Sequence, residues 1–307
     1  MKTDFLSLAE FSPDELQALL DLAVSLKREW AEGGNAPRLA GKTLGMIFMK
    51  PSLRTRVSFD VGMTQLGGRA IYLGPDEVGL GKRESVADVA RVLSRYVDGI
   101  MARVFAHDDV VQLARWASVP VINGLSEYNH PCQGLTDLLT IYEKRGRLKG
   151  IRLAYIGDGN NVLHSLLLGG ALTGMQVVAA TPEGYEPLPA VVEQARQIAA
   201  DTGACIELVR EPAVAARGAD VLYTDTWVSM GQEAEAQERH RVFQNYQINE
   251  ALLTHAAPDA GVMHDLPAYR GKEITDEMAD GPRSWLFDQA ENRLHAQKAI
   301  LLHVFER

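Results

Sequence analysis

The segment Lys50-Pro51-Ser52-Leu53-Arg54-Thr55-Arg56 puts hydroxyls and guanidiniums directly after the apolar run Leu44 to Met49. Pro51 has no N–H to give a sheet ladder, so a strand ends at Lys50 and a helix begins where the hydroxyls collect. A helix N-terminus leaves its first N–H groups unpaired and carries partial positive charge. Adding Ser52, Arg54, Thr55 and Arg56 makes it a seat for an anion, phosphate above all. Two guanidiniums this close repel each other unless an anion lies between them. A second group, Asn129-His130-Pro131-Cys132-Gln133, precedes an apolar helix, Leu135 to Tyr142, that carries Asp137. Pro131 keeps His130 extended at a loop tip ahead of that helix, and the donors of His130 and Gln133 suit a carbonyl oxygen. A third group, Thr224-Asp225-Thr226-Trp227-Val228-Ser229-Met230-Gly231, follows the apolar run Val221 to Tyr223. With the next helix expected near Glu233 and Ser229 as its cap, Asp225 is left to hold a cation.

These residues need a frame, and the chain supplies alternating strand and helix patterns. Ser12-Pro13-Asp14-Glu15 reads as a capping box opening a helix whose face is Leu16, Leu19, Leu20 and Ala23. After the anion seat, Phe59, Gly62, Met63 and Leu66 recur at helical spacing until Gly67-Gly68, and Ala70 to Leu73 is the next strand. Gly74 to Arg83, rich in glycine and charge, is expected to be a mobile loop. Ser85 and Asp88 open a helix with Val86, Val89, Leu93 and Tyr96 on one face. A strand from Gly99 to Val104 containing Arg103, a helix from Val110 to Trp116 and a strand from Val119 to Ile122 complete the first half. After Lys149-Gly150 the alternation restarts with strands at Ile151 to Ile156, Gln176 to Ala180, Ile206 to Val209, Val221 to Tyr223 and Gly261 to Met263. Gly157-Asp158-Gly159 has two glycines of a dinucleotide-binding turn, but Val162 stands where the third belongs. It reads instead as a tight turn that points Asn160 and Asn161 toward the strand ends, ahead of a helix from Val162 to Leu172. The expected fold is α/β: two doubly wound domains, each a mostly parallel sheet flanked by helices. They span 1–149 and 150–307, with the last helix, which carries Arg293, able to pack back on the first domain.

The chain has 307 residues and a net charge of −9, from 31 Lys and Arg against 40 Asp and Glu. No basic field would draw nucleic acid or an acidic membrane, so neither is expected as a partner. Two cysteines, Cys132 and Cys205, suggest neither a disulfide framework nor a metal cluster. With no export signal or membrane span legible, the expected location is cytoplasmic.

The three groups together resemble the aspartate/ornithine carbamoyltransferase family. Ser52 to Arg56 matches its S-x-R-T-R, His130 to Gln133 its H-P-x-Q, and Asp225 to Gly231 the D-x-W-x-S-M-G of its ornithine branch. The resemblance runs over essentially the whole chain. It implies that carbamoyl phosphate is bound by Ser52, Leu53, Arg54, Thr55, Gly79, Arg103, His130, Gln133, Leu266 and Arg293, in a site whose main part is the first domain. It implies that L-ornithine is bound by Asn161, Asp225, Ser229 and Met230 in the second domain, with Arg54, Arg103, His130 and Asp265 as the catalytic set. The products would be L-citrulline and phosphate, with no metal or organic cofactor, in a homotrimer or a multiple of trimers.

The chemistry agrees with this resemblance. Carbamoyl phosphate joins a dianionic phosphate to an amide carbonyl, so it needs an anion seat beside donors for an oxygen that gains charge on attack. The amine is the harder part: an alkyl ammonium near pKa 10.4 costs roughly 4–5 kcal/mol to deprotonate at pH 7. Two departures from the family pattern stand out. The ornithine branch usually has H-C-L-P where this chain has His264-Asp265-Leu266-Pro267, and often a glutamine where Gly79 stands. Asp265 either faces the amine as an anion and slows attack, or points away and offers only its backbone carbonyl, or takes the proton as a general base. Two rivals therefore accompany ornithine transfer: transfer to another amine such as putrescine, and a non-catalytic carbamoyl-phosphate-binding protein. Aspartate as acceptor fits less well, because that branch would want basic side chains where Ser229-Met230-Gly231 stands.

Overall fold

The computed structural model describes residues 2–306. The chain divides into two compact units, one formed by Met1–Leu139 with Glu291–Arg307, the other by Thr140–Ala290. Both divisions fall inside helices. The first unit opens with α1 (Pro13–Ala31), where Ser12 Oγ accepts the Glu15 N–H at 3.3 Å and the Glu15 carboxylate accepts the Ser12 N–H at 3.0 Å. It continues through β1 (Thr43–Phe48), α2 (Leu53–Gln65), β2 (Arg69–Leu73), α3 (Pro75–Val78), α4 (Val86–Leu93), β3 (Gly99–Arg103), α5 (His107–Trp116), β4 (Val121–Leu125) and α6 (Pro131–Arg145). The strands are all parallel in the order β2-β1-β3-β4. Strand order reverses between β1 and β3, and the crevice outside the carboxyl ends of strands at such a reversal is where open α/β sheets bind ligands.

The second unit holds β5 (Arg152–Ile156), α7 (Asn161–Leu172), β6 (Gln176–Ala180), α8 (Pro189–Thr202), β7 (Cys205–Val209), α9 (Pro212–Ala216), β8 (Val221–Thr224), α10 (Ala236–Phe243), α11 (Glu250–Leu253), β9 (Gly261–His264), α12 (Asp276–Asp280) and the start of α13 (Leu286–Phe305). Its parallel order, β7-β6-β5-β8-β9, reverses between β5 and β8. Val162 to Leu172 on α7 are buried all round, as expected of a helix without a polar face. The expected α/β class and the two mostly parallel, doubly wound sheets are what the chain forms. Among the described residues no helix is long and apolar enough to cross a membrane.

Four local expectations need correction. Gly74 to Arg83 contains a helical turn, α3, because Pro75 sits at its first position and the Glu77 carboxylate accepts the Gly74 N–H at 2.6 Å. Tyr96 lies beyond the end of α4 and is 75% exposed, so the packed face stops short of it. β4 starts at Val121 because Pro120 has no N–H to give the ladder. Ser229 caps no helix: its N–H donates to Gln232 Oε1 at 3.0 Å, and α10 begins only at Ala236, after a short 3-10 turn.

The Gly157-Asp158-Gly159 turn explains its second glycine without any nucleotide. A Cβ on Gly159 would meet Pro187 N at 2.2 Å and Glu186 C at 2.3 Å, because the backbone of 185–187 passes directly over it. Gly159→Ala should therefore destabilise the second unit by about 3 kcal/mol, the upper end of overpacking costs. Gly45→Ala, whose Cβ would meet the two Val97 methyls at 3.4 and 3.5 Å and a Leu73 methyl at 3.8 Å, all near ordinary contact, should cost under about 1 kcal/mol. Unfolding midpoints of the two variants check this, and equal midpoints would refute it.

Candidate active site

In the first unit the ends of β1 and β3 are tied together, Met49 N–H donating to the Arg103 carbonyl at 2.9 Å. Arg103 is buried where it closes β3. Ser52 is the N-cap of α2, accepting the Thr55 N–H at 3.2 Å, and its hydroxyl also bonds Thr55 Oγ1 at 3.1 Å. Arg293, buried on α13, donates from Nη2 to Thr55 Oγ1 at 3.0 Å and from Nη1 to Gln133 Oε1. The Gln133 amide in turn donates to buried Asp137 at 2.7 Å, one turn along α6.

His130 stands just before α6, 2% exposed, with its Nε2 3.4 Å from Arg293 Nη1. A guanidinium has only donors, so the nitrogen facing it accepts and the ring proton sits on Nδ1. Burial pushes the imidazole pKa well below its usual value, and the charges of Arg293, Arg103 and Arg54 push it the same way. Three guanidiniums from α2, β3 and α13 thus act on one neutral ring. The loop before it is locked by a network that the sequence reading missed: Asn123 and Asn129 side chains each donate to the Leu6 carbonyl at 3.1 Å, and Asn123 Nδ2 donates to Asn129 Oδ1. Burial raises the Cys132 thiol to about 12, so it is no nucleophile.

Not every residue of the sequence motif joins this cluster. Arg56 lies over the Tyr72 ring, 4.2 Å from its centroid, which corrects its expected place in the anion seat. Leu53, the first residue of α2, is 74% exposed. Gly79 is the left-handed C-cap of α3, with its N–H donating to Pro75 O and its carbonyl accepting from Lys82 and Arg83 within its own loop.

In the second unit, the ends of β5, β8 and β9 gather a different chemistry. Asn160 caps α7 through its Oδ1, which accepts the Val162 and Leu163 N–H groups at 3.0 and 3.2 Å, and its Nδ2 donates to Asp225 Oδ2 at 2.6 Å. Asp225, 5% exposed, also accepts the Thr226 N–H at 2.7 Å. Asp225 is thus held with its carboxylate oriented. Asn160 provides that hold, while Asn161 is the first residue of α7. Ser229 and Met230 follow in the next loop, with Met230 45% exposed.

His264 ends β9 fully buried. Its Nδ1 accepts the Leu266 N–H at 2.9 Å, and its Nε2 faces buried Glu273 at 3.1 Å. That bond holds Leu266 at φ 61°, a left-handed conformation rare for a residue with a side chain. Asp225, His264 and Asp265 each bring one potential ligand atom within 4.8 Å of the others. The two ring nitrogens of His264 are already engaged, however, so a cation there would meet mainly the two carboxylates. Burial, then the charges of Asp225, Asp158 and Asp265 against the opposing pull of Arg239, push the Tyr155 hydroxyl well above its usual range. The partners that position these groups, Asn160, Glu273 and Arg239, carried no motif signal by themselves; only Gly157-Asp158-Gly159-Asn160 announced a turn.

The first unit therefore offers an anion seat and the second a cation pocket, and comparison with known proteins gives the same division. Residues 3–143 match the carbamoyl-P binding domain of aspartate/ornithine carbamoyltransferase, and residues 149–304 match its Asp/Orn binding domain. An ornithine carbamoyltransferase of Thermococcus kodakarensis is 56% identical over 299 residues, 97% of this chain and 95% of that one. The anabolic ornithine carbamoyltransferase of Pyrococcus furiosus is 54% identical over the same span, also 97% of this chain and 95% of its own length. A solved ornithine carbamoyltransferase structure from that organism superposes with a TM-score of 0.97 at 53% identity, covering 99% of this chain and 97% of the other. On matches spanning nearly its whole length, this chain belongs to the aspartate/ornithine carbamoyltransferase family.

Proposed function

We propose that this protein transfers the carbamoyl group of carbamoyl phosphate to the δ-amine of L-ornithine, giving L-citrulline and phosphate. The observation that carries the reading is the placement of Arg54, Arg103 and Arg293 about neutral, buried His130, in the part of the chain that matches a carbamoyl-P binding domain.

In this reading Ser52, Leu53, Arg54 and Thr55, at the start of α2, hold the phosphate. Arg103, His130 and Gln133, with Arg293 behind them, face the carbonyl oxygen and stabilise the charge it gains. Phosphate departs as a stable anion as the C–N bond forms, so the leaving group needs little protonation. Gly79, whose own N–H and carbonyl are used within its loop, sets that loop's turn, and the Leu266 backbone carbonyl accepts from the carbamoyl amide. Asp225 pairs with the α-ammonium of ornithine, flanked by Asn161, Ser229 and Met230. A buried carboxylate oriented by Asn160 has no use in putrescine transfer, which favours the amino acid as acceptor.

Asp265 replaces the cysteine usual in the ornithine branch. Its carboxylate lies beside Asp225 and 3.9 Å from His264 Nδ1, so it borders the cation pocket. We assign it the proton that leaves the attacking nitrogen, which becomes strongly acidic once bonded to the carbonyl carbon. No metal or organic cofactor has a part in these steps.

A homotrimer, or a multiple of it, in the cytoplasm completes the proposal. Leu53, Val57 and Val61 line one face of α2 with exposures of 74%, 49% and 37%, and Ile71 on β2 is 42% exposed; such an apolar stripe calls for a protein partner. Light scattering should return three times the 33.7 kDa chain mass or a multiple of that, and a monomer would refute it.

Citrulline formation from carbamoyl phosphate and ornithine tests the reaction itself. The protein should form citrulline, and Asp265→Asn should lower kcat by about 10²-fold, a typical general-base contribution. An inactive native chain revived by Asp265→Cys would instead make it a binding protein. The pH profile follows from His130: already neutral, it adds no ionisation between about pH 6 and 9. Between about pH 7 and 9, above the Asp158 carboxyl that burial raises to about 6, lower pH then acts by converting the ornithine amine to ammonium. Log kcat/KM for ornithine should rise with pH at unit slope over that range, and a slope of two there would mean that His130 is charged.

A further inference from the structure

Two bridges connect the β5–α7 turn to the segment following β8 in the second unit, and the reading above uses only one of them, Asn160 to Asp225. The other is made by Arg239. This residue on α10 is 3% exposed, with its guanidinium over the rings of Tyr185 at 4.8 Å and Phe243 at 5.4 Å. From Nη2 it donates to the Asp158 carboxylate, from Nε it donates to the Trp227 carbonyl, and its Nη1 lies 3.6 Å from the exposed carboxylate of Glu235. Asp158 is itself buried, and burial raises its carboxyl to about 6 against the opposing pull of Arg239.

A buried ion pair is a poor device for stability alone. Apolar residues of similar volume often do as well or better, because both charges must leave water. Tyr185, Trp227, Phe243 and Tyr246 already pack together around it, so apolar filling was available. What a guanidinium adds is direction: its planar fork fixes two acceptors at set angles. Here both acceptors lie in segments that carry the proposed ornithine contacts. Asp158 leads into Asn160 and Asn161, and Trp227 stands between Asp225 and Ser229. Trp227 is 4% exposed and Met230 is 45% exposed, while the Ser229 and Gly231 N–H groups are held only by local side chains, Gln232 and Glu233. Arg239 therefore grips the root of the loop at its last buried residue.

We infer that Arg239 and Asp158 are positioning residues for the acceptor substrate: by joining the Trp227 root to the Asp158 turn, they set the affinity for the amino-acid end of ornithine. The inference rests on the proposed reaction. Neither residue touches the reacting atoms, so their loss should appear in acceptor binding ahead of turnover.

The test uses the full chain with Arg239→Met, Arg239→Lys and Asp158→Asn, measuring steady-state kinetics together with the affinity for L-norvaline, which has the same amino-acid end but no δ-amine. The expected result for Arg239→Met and Asp158→Asn is a KM for ornithine raised about tenfold or more, as for a displaced positioning element. Norvaline binding should weaken by the same factor, and the KM for carbamoyl phosphate should move less than about twofold. Arg239→Lys, which keeps the charge and loses the fork, should fall between these and the native chain. A purely structural role would instead lower kcat through a smaller folded fraction, with both KM values unchanged. That outcome, or norvaline affinity unaltered in the folded Arg239→Lys and Asp158→Asn proteins, overturns the inference. Absence of citrulline from the native chain would fail the reaction reading, a result distinct from either.

Discussion

Like charges gathered in a buried place are unfavourable unless something of opposite sign belongs there, and the first unit is built around that constraint. Arg54, Arg103 and Arg293 come from a helix start, a strand end and the last helix, and all of them depress the basicity of His130. Coulomb repulsion among like charges acting on one buried ring is stronger in a medium of lower effective dielectric than water. In the proposed reaction a doubly charged phosphate relieves that repulsion, and the imidazole, kept neutral by the same field, offers the carbonyl oxygen one N–H without adding a fourth positive charge. The last helix from Glu291 onward belongs to the first unit, where Arg293 holds both Thr55 and Gln133.

The second unit mirrors the first with the opposite sign. Its sheet also reverses order, between β5 and β8, and the strand ends there present Asp158, Asp225 and Asp265 around the Tyr155 hydroxyl. One of these carboxylates, Asp158, is paired with Arg239; the proposed reaction assigns the others to ornithine. In the proposed reaction the α-ammonium stays charged while the δ-amine loses its proton, which needs two environments. The proposed roles give the first to Asp225, fixed by Asn160, and the second to Asp265, beside His264.

Much of this was legible in the sequence, because short-range rules wrote it. The capping box at Ser12, the helix beginning just after Pro51 and the helix at Pro131 that leaves His130 outside it each depend on a few neighbouring side chains, and each forms as read. The strands were legible because buried parallel strands are continuous apolar runs. Arg56 was misplaced because nothing in its own segment reveals that Tyr72, on another strand, offers a ring to stack on. The hold on Asp225 was hidden for the same reason: Asn160, which provides it, is far away in sequence. The Asn123–Asn129 network and the Asp158–Arg239 pair were invisible, since a lone polar residue in a helix or turn does not announce a distant partner. The Gly74 to Arg83 loop was misjudged because its glycines outweighed the Pro75 and Glu77 helix signals.

The most direct test of the anion seat is calorimetric titration of carbamoyl phosphate into the native protein, Arg54→Gln and Arg103→Gln, with unfolding midpoints measured alongside. If the guanidiniums share one doubly charged ligand, each substitution should weaken binding by about 1.5–3 kcal/mol, the worth of a charge-assisted hydrogen bond. Relief of repulsion should leave the midpoint unchanged or higher. Undiminished affinity in both folded variants would contradict the account.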